Sequence, residues 1–321
     1  MPDRQRRAPC VSVLTPAYNA ELTIAESVGS ALAQSVSDLE VIVVDDGSDQ
    51  PIASALRAIG DDRLRIVRTV RNRGVSAARN SALALARAPI VAQLDADDCW
   101  HECHLEGLLA ALSDPAVGLA YANAEVRGHP KGFDRWIELC GSRVERRRAV
   151  TGSRVHPVND LADLYFGNPI PSPAVAMRTA AVRTVGAYPE WLKVGEDYLL
   201  YLRLRRAGWR FSYVDRLSAI YRWPDSSRGA TFNRRRSARQ QVKLFAALAL
   251  TSPDEPAIRA RLTSELIDVL LTHVPGSVTA WRLLRERPIG RLARASVRRT
   301  RERGRRQNSE PYEAGFADDG L

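Results

Sequence analysis

The amino-acid sequence predicts an α/β fold in which a mostly parallel sheet is flanked by helices, and three observations lead to this prediction. Short apolar runs rich in Val and Ile recur along the first hundred residues. They are separated by segments whose apolar residues repeat with helical spacing, as in chains that alternate strand and helix around a parallel sheet. The runs are nearly continuous rather than alternating, which is typical of strands covered on both faces.

The first predicted strand is Val11–Thr15, and Thr23–Glu26 then has the pattern of a capping box that begins a helix. The loop between them, Pro16–Asn19, follows the carboxyl end of the strand, where open α/β sheets bind their ligands. Tyr18 in this loop could stack on a ligand base, or it could be an ordinary surface tyrosine.

The second predicted strand, Leu39–Val44, runs directly into the acidic segment Asp45–Asp49. Asp-Gly can form a hairpin turn, but residues 51–59 have a helical pattern with Pro51 near the first turn. The preferred order is therefore strand, loop and helix. A carboxylate in this loop could accept hydrogen bonds from a nucleotide base or from ribose hydroxyls.

The third predicted strand is Leu64–Val67, followed by the polar loop Arg71–Gly74 and by an Ala-rich helix from about Ser76 to Arg87. These segments contain neither a G-x-G-x-x-G motif nor a Walker lysine. A nucleotide bound by this sheet must therefore be held by some other scheme.

The fourth predicted strand begins near Ile90 and ends in three carboxylates, Asp95, Asp97 and Asp98. An ordinary acidic turn would have the same composition, because Asp is common where a chain leaves a strand. Two carboxylates spaced i, i+2 can also point at one hard divalent cation, which could hold a diphosphate. The triplet alone leaves both interpretations open.

Five motifs in this order resemble those of family 2 glycosyltransferases, which have the Rossmann-like GT-A fold. They are Val-Ser-Val-Leu-Thr-Pro-Ala-Tyr-Asn from residue 11, Val-Ile-Val-Val-Asp-Asp-Gly-Ser from 41, Asn-Arg-Gly-Val-Ser-Ala-Ala-Arg-Asn from 72, Leu-Asp-Ala-Asp-Asp from 94 and Gly-Glu-Asp from 195. Each motif is weak alone, but five at compatible spacing are strong evidence. The resemblance covers roughly residues 10–225.

The resemblance implies an enzyme that uses an NDP-sugar donor and a divalent metal, Mn²⁺ or Mg²⁺. Asp97 would bind the metal, Asp95 would contact the ribose or a metal-bound water, and Asp98 would support them. The residues implied for nucleotide-sugar binding are Pro16, Tyr18, Asp46, Arg73 and Asp95.

The same resemblance implies that catalysis belongs to the segment around residue 197. Asp197 would be the general base of an inverting transfer, and Glu196 would help to shape the acceptor site. Some relatives complete the metal shell with a histidine, whereas this chain has Tyr221–Ser227 at the comparable place. Water, Asp225 or a contact of Arg222 with phosphate could take over that role.

The cysteines and the N-terminus favour a cytosolic protein. Four cysteines in 321 residues form no evident disulfide framework. Residues 1–9 are charged, and no stretch of about 18 apolar residues follows, so neither a signal peptide nor a membrane span is expected. A soft-metal site at Cys99, His101, Cys103 and His104 is disfavoured relative to a helix start, because zinc sites usually draw on two separated ligand pairs.

The net charge of +10 is concentrated near the C-terminus, where residues 281–306 carry eleven Arg and two Glu, a net charge of +9. Nucleic acid is therefore an unlikely partner of the main domain. The basic segment could attract anionic lipid and hold a cytoplasmic protein at the inner membrane face, or it could be a solvated tail. The predicted organisation is an N-terminal tail at 1–9, a GT-A domain at 10–228, a helical extension at 229–284 and a basic, then disordered tail at 285–321.

The predicted function is transfer of a sugar from an NDP-sugar to an acceptor hydroxyl, as in the synthesis of cell-envelope polysaccharides. The acceptor could be a carbohydrate, a lipid-linked molecule or a small molecule. A sugar nucleotidyltransferase has related architecture, but its Gly- and Lys-rich N-terminal phosphate loop is absent. The alternative from another class is a catalytically silent scaffold that binds polyanions through its Arg-rich tail.

Overall fold

A computed structural model describes residues 8–129, 132–136, 164 and 168–223. In chain order the strands and helices are β1 (Val11–Ala17), α1 (Ile24–Leu32), β2 (Leu39–Asp45), β3 (Leu64–Arg68), α2 (Val75–Leu85), β4 (Ile90–Gln93), β5 (Cys99–Trp100), α3 (His104–Ala111), β6 (Val117–Arg127), β7 (Val175–Arg178), α4 (Thr179–Thr184), α5 (Glu196–Arg206) and β8 (Arg210–Arg222).

The strands form one sheet in the order β3-β2-β1-β4-β7-β6-β8-β5. Among the described strands four pairings are parallel, namely β1 with β2, β1 with β4, β2 with β3 and β6 with β8, and three are antiparallel. The predicted fold class, a mostly parallel sheet flanked by helices, is confirmed. Because β1, β2 and β4 are adjacent and parallel, the segments that follow them meet at one edge of the sheet.

The interior strands carry the core, which explains their nearly continuous apolar sequences. Every residue of β1 and β2 is buried. On one face, Ile24, Val28 and Ala31 of α1 pack into a cluster that includes Val13 and Val41. The helix α2 packs against the same two strands. Strands covered on both faces have no solvent side for polar residues to occupy, so their sequences do not alternate.

The helix predicted at 51–59 is wrong, because only a 3₁₀ turn forms at Ile52–Ser54. The Asp45 carboxylate accepts hydrogen bonds from the main-chain N–H groups of Ser48 and Ile52, at 2.9 and 3.1 Å. These bonds hold the main chain of the loop close to the end of β2. Of residues 51–59, only Ile52 and Leu56 are buried. Two buried side chains offer little packing to offset the cost of nucleating a helix.

The capping box predicted at Thr23–Glu26 marks the helix start correctly, but its hydrogen bonds do not form. Thr23 is the N-terminal cap residue of α1 and makes no side-chain capping bond. Its hydroxyl donates instead to the Ala20 carbonyl at 3.4 Å, and Glu26 forms an ion pair with Arg222. Glu26 thus pairs with Arg222, which is distant in the sequence, rather than with the main chain of Thr23.

Strand β8, which was not predicted from the sequence, lies between β6 and β5 in the sheet. Its sequence mixes charged and apolar residues, and the strand is largely half-buried or exposed. Register shifts relative to β6 near Ala122–Ala124 interrupt any simple alternation. The pairing of β6 with β8 ends at Arg127 and Arg222. It brings Tyr221–Trp223 toward the carboxylates that follow β4.

The predicted helical extension at 229–284, the tail at 285–321 and Asp225 lie outside the described residues. Within the part of the chain that the structure describes, no helix has the length and apolar character needed to span a membrane.

Candidate active site

Hydrogen bonds link the loops that follow the carboxyl ends of β1 and β2. Asn19 has a positive φ of 50°, and its main-chain N–H donates to the Ser48 hydroxyl at 3.0 Å. Its side-chain oxygen accepts from the Asp49 N–H at 2.8 Å. Pro16 is buried within β1 rather than in the loop, because the strand extends to Ala17. The loop thus begins two residues later than predicted.

Tyr18 is the aromatic side chain that this joined loop presents. Its side chain is 49% exposed, although it directly follows a fully buried strand. An exposed aromatic ring on a loop held by hydrogen bonds is available to stack on a planar base. The geometry is therefore compatible with the predicted role, which remains a prediction.

Asp46 organises the loop that precedes α2. It is 3% exposed, and its carboxylate accepts from the main-chain N–H groups of Arg73 at 3.0 Å and of Gly74 at 2.6 Å. The Thr69 hydroxyl donates to it at 3.1 Å. The Arg73 guanidinium points away and donates to Glu190 at 2.9 Å. Asp46 and Arg73, both predicted to bind the nucleotide, therefore belong to one hydrogen-bonded unit.

We expect Gly47→Ala to destabilise the protein markedly. Gly47 has φ +71°, and a Cβ there would lie 2.7 Å from the main-chain carbon of Arg71. A positive φ alone costs roughly 1 kcal/mol for alanine, and a main-chain clash adds to it, so a loss above about 2 kcal/mol is expected. Gly60→Ala is the matched control, since Gly60 has φ +56° but no atom within 4 Å. Urea unfolding giving equal losses for both variants would contradict the clash.

The three carboxylates after β4 have different surroundings. Asp95 is partly exposed; its carboxylate accepts from Arg79 at 2.6 Å and from the Ser172 hydroxyl at 3.3 Å. Asp97 reaches solvent, yet surrounding protein that displaces water, followed by the Asp95 charge, raises its pKa to about 6. Asp98 is buried, and burial together with Asp97 raises its pKa well above the usual range.

The donor set after β4 fits a hard divalent cation. One carboxylate oxygen of Asp98 is buried without a hydrogen-bond partner, and Asp97 carries a carboxylate whose charge its surroundings disfavour. A bound cation would give the Asp98 oxygen a partner and would offset the charge of Asp97. Carboxylate oxygens suit Mg²⁺ or Mn²⁺ as ligands. Within the described ranges no three His, Cys, Asp or Glu side chains form a ready-made metal cage. A metal bound here would therefore need further ligands, such as water or a diphosphate.

Arg222 lies against the three carboxylates that follow β4, and its predicted contact with phosphate stays a prediction. Its main-chain N–H donates to Asp98 at 2.8 Å, and its guanidinium lies 3.4 Å from the Asp97 carbonyl. The same guanidinium pairs with Glu26 on α1. The end of β8 thereby places a positive charge beside Asp97 and Asp98.

Asp197 and Glu196 lie in the first turn of α5, after Gly195 in the left-handed conformation. The Asp197 carboxylate accepts from the Tyr198 N–H at 2.7 Å and is partly exposed. Desolvation by the surrounding protein, then the Glu196 charge, raises the pKa of Asp197 to about 7. A carboxylate with this pKa can accept a proton near neutral pH.

Arg79, which was not among the predicted site residues, joins Asp95 after β4 to Glu196 at the start of α5. Its guanidinium donates to Asp95 at 2.6 Å and to Glu196 at 2.7 Å, and it is 2% exposed. The Tyr188 ring lies 5.5 Å from its guanidinium carbon. The available signal was an arginine on the buried face of an Ala-rich helix, among Ala78 and Ala82, because a buried charge requires partners.

Two of the four residues considered for a soft-metal site, Cys99 and His104, are buried. The His104 Nδ1 is 2.8 Å from the Ser218 hydroxyl, and burial lowers the pKa of His104 to about 3. The ring packs beside Trp100, with centroids 4.7 Å apart. Cys99 is buried, and burial raises its pKa to about 11. The described part of the chain has no His and Cys group arranged to hold a metal.

The sequence profile described as Glycosyl transferase family 2 matches residues 12–177. The succinoglycan biosynthesis protein ExoU of Rhizobium meliloti (strain 1021) is 33% identical over 267 residues, which cover 78% of this chain and 73% of that protein. The Escherichia coli protein WfgD, a UDP-Glc:alpha-D-GlcNAc-diphosphoundecaprenol beta-1,3-glucosyltransferase, is 33% identical over 116 residues. That match covers 36% of this chain and 46% of WfgD.

Solved glycosyltransferase structures share the fold, and two of them illustrate the similarity. TarS residues 1–349 of S. aureus, in complex with UDP-GlcNAc, superimposes with a TM-score of 0.58 at 21% identity, covering 89% of this chain and 79% of that one. The mannosyltransferase PcManGT of Pyrobaculum calidifontis, in complex with GDP-Man and Mn²⁺, has a TM-score of 0.61 at 22% identity. The match covers 91% of this chain and 85% of the PcManGT chain.

Proposed function

Since the chain belongs to glycosyltransferase family 2 and has the predicted GT-A fold, we propose that it transfers a sugar from an NDP-sugar to an acceptor hydroxyl. The transfer inverts the anomeric carbon and is assisted by Mn²⁺ or Mg²⁺. The observation that carries this proposal is the opposition of two acidic groups across Arg79. Asp95 and its neighbours lie on one side of this guanidinium, and Glu196 with Asp197 lies on the other.

The acidic turn after β4 is the proposed donor side. Asp97 would hold the cation, supported by Asp98, and the cation when bound would offset the negative charge that develops on the departing diphosphate. Asp95 would meet the ribose or a metal-bound water. Arg222 is the candidate for a direct contact with phosphate, because its guanidinium lies beside the Asp97 carbonyl.

The nucleotide would lie over the loops that follow β1 and β2. Tyr18 offers an exposed ring for stacking, while the buried Asp46 holds the main chain at Arg73 and Gly74. Asp46 has three donors in the structure, and a carboxylate can accept about four hydrogen bonds. The Asp46 carboxylate can therefore accept a hydrogen bond from the base in addition to its present contacts.

Asp197 would act on the acceptor. It removes the proton from the attacking hydroxyl, the oxygen forms the new bond to the anomeric carbon, and the bond to the diphosphate oxygen breaks with its electron pair. Attack from the face opposite the leaving diphosphate inverts the configuration. A pKa of about 7 supports this role, because the carboxylate is both available and basic enough near neutral pH.

The relatives suggest which donors and acceptors to test. WfgD is named for UDP-Glc and a diphosphoundecaprenol acceptor, and ExoU for succinoglycan biosynthesis. We therefore propose that this chain acts in the assembly of an envelope polysaccharide and that its acceptor is carbohydrate or lipid-linked.

A panel of UDP-, GDP- and dTDP-sugars with Mn²⁺, read by thermal shift and by release of free NDP, tests the proposal. A donor that binds only the folded state raises the melting temperature, by the free energy RT ln(1 + [L]/Kd). We expect one donor class to stabilise the protein and to release NDP. Binding without NDP release would favour a silent scaffold. Release of pyrophosphate from a nucleoside triphosphate and a sugar phosphate would favour a nucleotidyltransferase.

The basic segment at 281–306 is proposed to attract anionic lipid, with about 1 kcal/mol per residue near a charged surface. This segment lies outside the described residues. Co-sedimentation of the full chain with vesicles of anionic and of neutral lipid is the test. Binding should be confined to anionic vesicles and should fall as salt is raised; equal binding to neutral vesicles would contradict an electrostatic role.

A further inference from the structure

The buried Arg79 forms ion pairs with carboxylates of two segments that are far apart in the sequence. Its two terminal nitrogens reach two different segments, since one donates to Asp95 after β4 and the other to Glu196 at the start of α5. Asp95 is 16 residues from Arg79 in the sequence, and Glu196 is 117 residues away. The planar guanidinium fork fixes the distance between these carboxylates, which a single ammonium group cannot do.

We propose that Arg79 is a positioning residue that holds the turn at Asp95–Asp98 and the helix α5 in register, so that Asp197 faces the sugar of a donor whose diphosphate is bound at that turn. The inference rests on the proposed function, because it assigns the geometry of that same site. It extends that function by naming a buried residue that would act through Asp95 and Glu196. Two further contacts keep the guanidinium in place: the Ser172 hydroxyl at 3.2 Å and the Tyr188 ring.

The charges around Asp197 give this positioning a measurable electrostatic signature. The titratable groups that face it are Glu196 and Tyr201 on α5, Arg79 on α2, Asp95 after β4, Tyr188 in the loop before α5 and Tyr221 on β8. Arg79 is the cation in this set and lowers the pKa of Asp197, whereas Glu196 and Asp95 raise it. Removing the guanidinium charge should therefore make Asp197 harder to deprotonate.

Arg79→Met and Arg79→Lys separate charge from geometry. For the donor that wild type hydrolyses, Arg79→Met should lower kcat at pH 7 by about tenfold or more and move the acidic limb of the kcat profile upward by about one pH unit. Arg79→Lys keeps the charge but not the fork. It should keep the wild-type profile and still lose several-fold in kcat, with little change in donor Kd.

Arg178→Met is the matched structural control. Arg178 is partly buried, whereas Arg79 is fully buried, and the Arg178 guanidinium donates to the main-chain carbonyls of Val117, Leu112 and Asp114 rather than to a carboxylate of the site. It should reduce stability without moving the pH profile. If Arg79→Met lowers activity equally at every pH, so that its pH profile is unmoved like that of the control, the inference is wrong while the proposed function stands. If wild type itself releases no NDP from any donor, the proposed function fails first.

Arg79→Met leaves Glu196 buried without its counter-charge and could prevent folding. In that case Arg79→Lys decides the question alone. A lysine variant that melts within a few degrees of wild type but loses several-fold in kcat supports positioning. A lysine variant with wild-type kcat overturns it, because the fork geometry would then be irrelevant.

Discussion

Asp197→Asn is expected to lower the rate of sugar transfer by about 10²- to 10⁴-fold, in line with the loss of a general base. Asparagine can still accept the hydrogen bond that Asp197 accepts from the Tyr198 N–H at 2.7 Å. It cannot take a proton from the acceptor hydroxyl. The wild-type kcat should fall as the pH drops below about 7, where Asp197 becomes protonated, and the variant should lack this limb.

The same substitution is expected to leave stability unchanged or to raise it at alkaline pH. Burial raises the folded-state pKa of Asp197 from its ordinary value of 3.8 to about 7. Between these values the folded protein binds a proton that the unfolded chain has released, so this group's contribution to stability declines as the pH rises from about 4 to about 7. Asparagine does not titrate. Its advantage in melting temperature over wild type should therefore grow across that window.

Single-turnover transfer and thermal melts at pH 5 and pH 8 measure both effects. Asp215→Asn is the control, since Asp215 is an exposed carboxylate on β8 that accepts from the Tyr213 hydroxyl. It should leave transfer and its pH profile unchanged. Transfer by Asp197→Asn within a few-fold of wild type would remove Asp197 from the proton transfer and make Glu196 the candidate.

Asp97→Ala is expected to abolish the dependence of donor binding on Mn²⁺ while the fold stays intact. The side chain of Asp97 reaches solvent, so its removal leaves no cavity in the core. Its replacement also relieves the repulsion among the carboxylates after β4, because burial and the Asp97 charge together hold the pKa of Asp98 high. Stability near neutral pH should therefore equal or exceed that of wild type.

Calorimetric titration of the donor with and without Mn²⁺ measures this loss. In wild type, chelation of the metal should weaken donor binding, and in Asp97→Ala chelation should change nothing. Asp215→Asn again serves as the control and should retain the full metal dependence. Unchanged donor affinity together with unchanged Mn²⁺ dependence in Asp97→Ala would show that the metal is held elsewhere.

The sequence determined those features that depend on neighbours along the chain. Strands β1, β2 and β4 were predictable because both faces are covered, and this requires continuous apolar sequence. The segments that leave β2 and β4 were recognised from their carboxylates. Parallel topology then brings Asp46 and Asp95 to the same edge without any knowledge of side-chain contacts.

Which of these charges are paired depends on how the strands and helices pack together. Glu26 satisfies a local capping pattern in the sequence but bonds with Arg222 on β8. Arg79 resembles any arginine of an Ala-rich helix until β4 and α5 supply its two carboxylates. An ion pair between segments up to 117 residues apart leaves no local pattern. Its strength depends on burial, which arises when the elements pack around it.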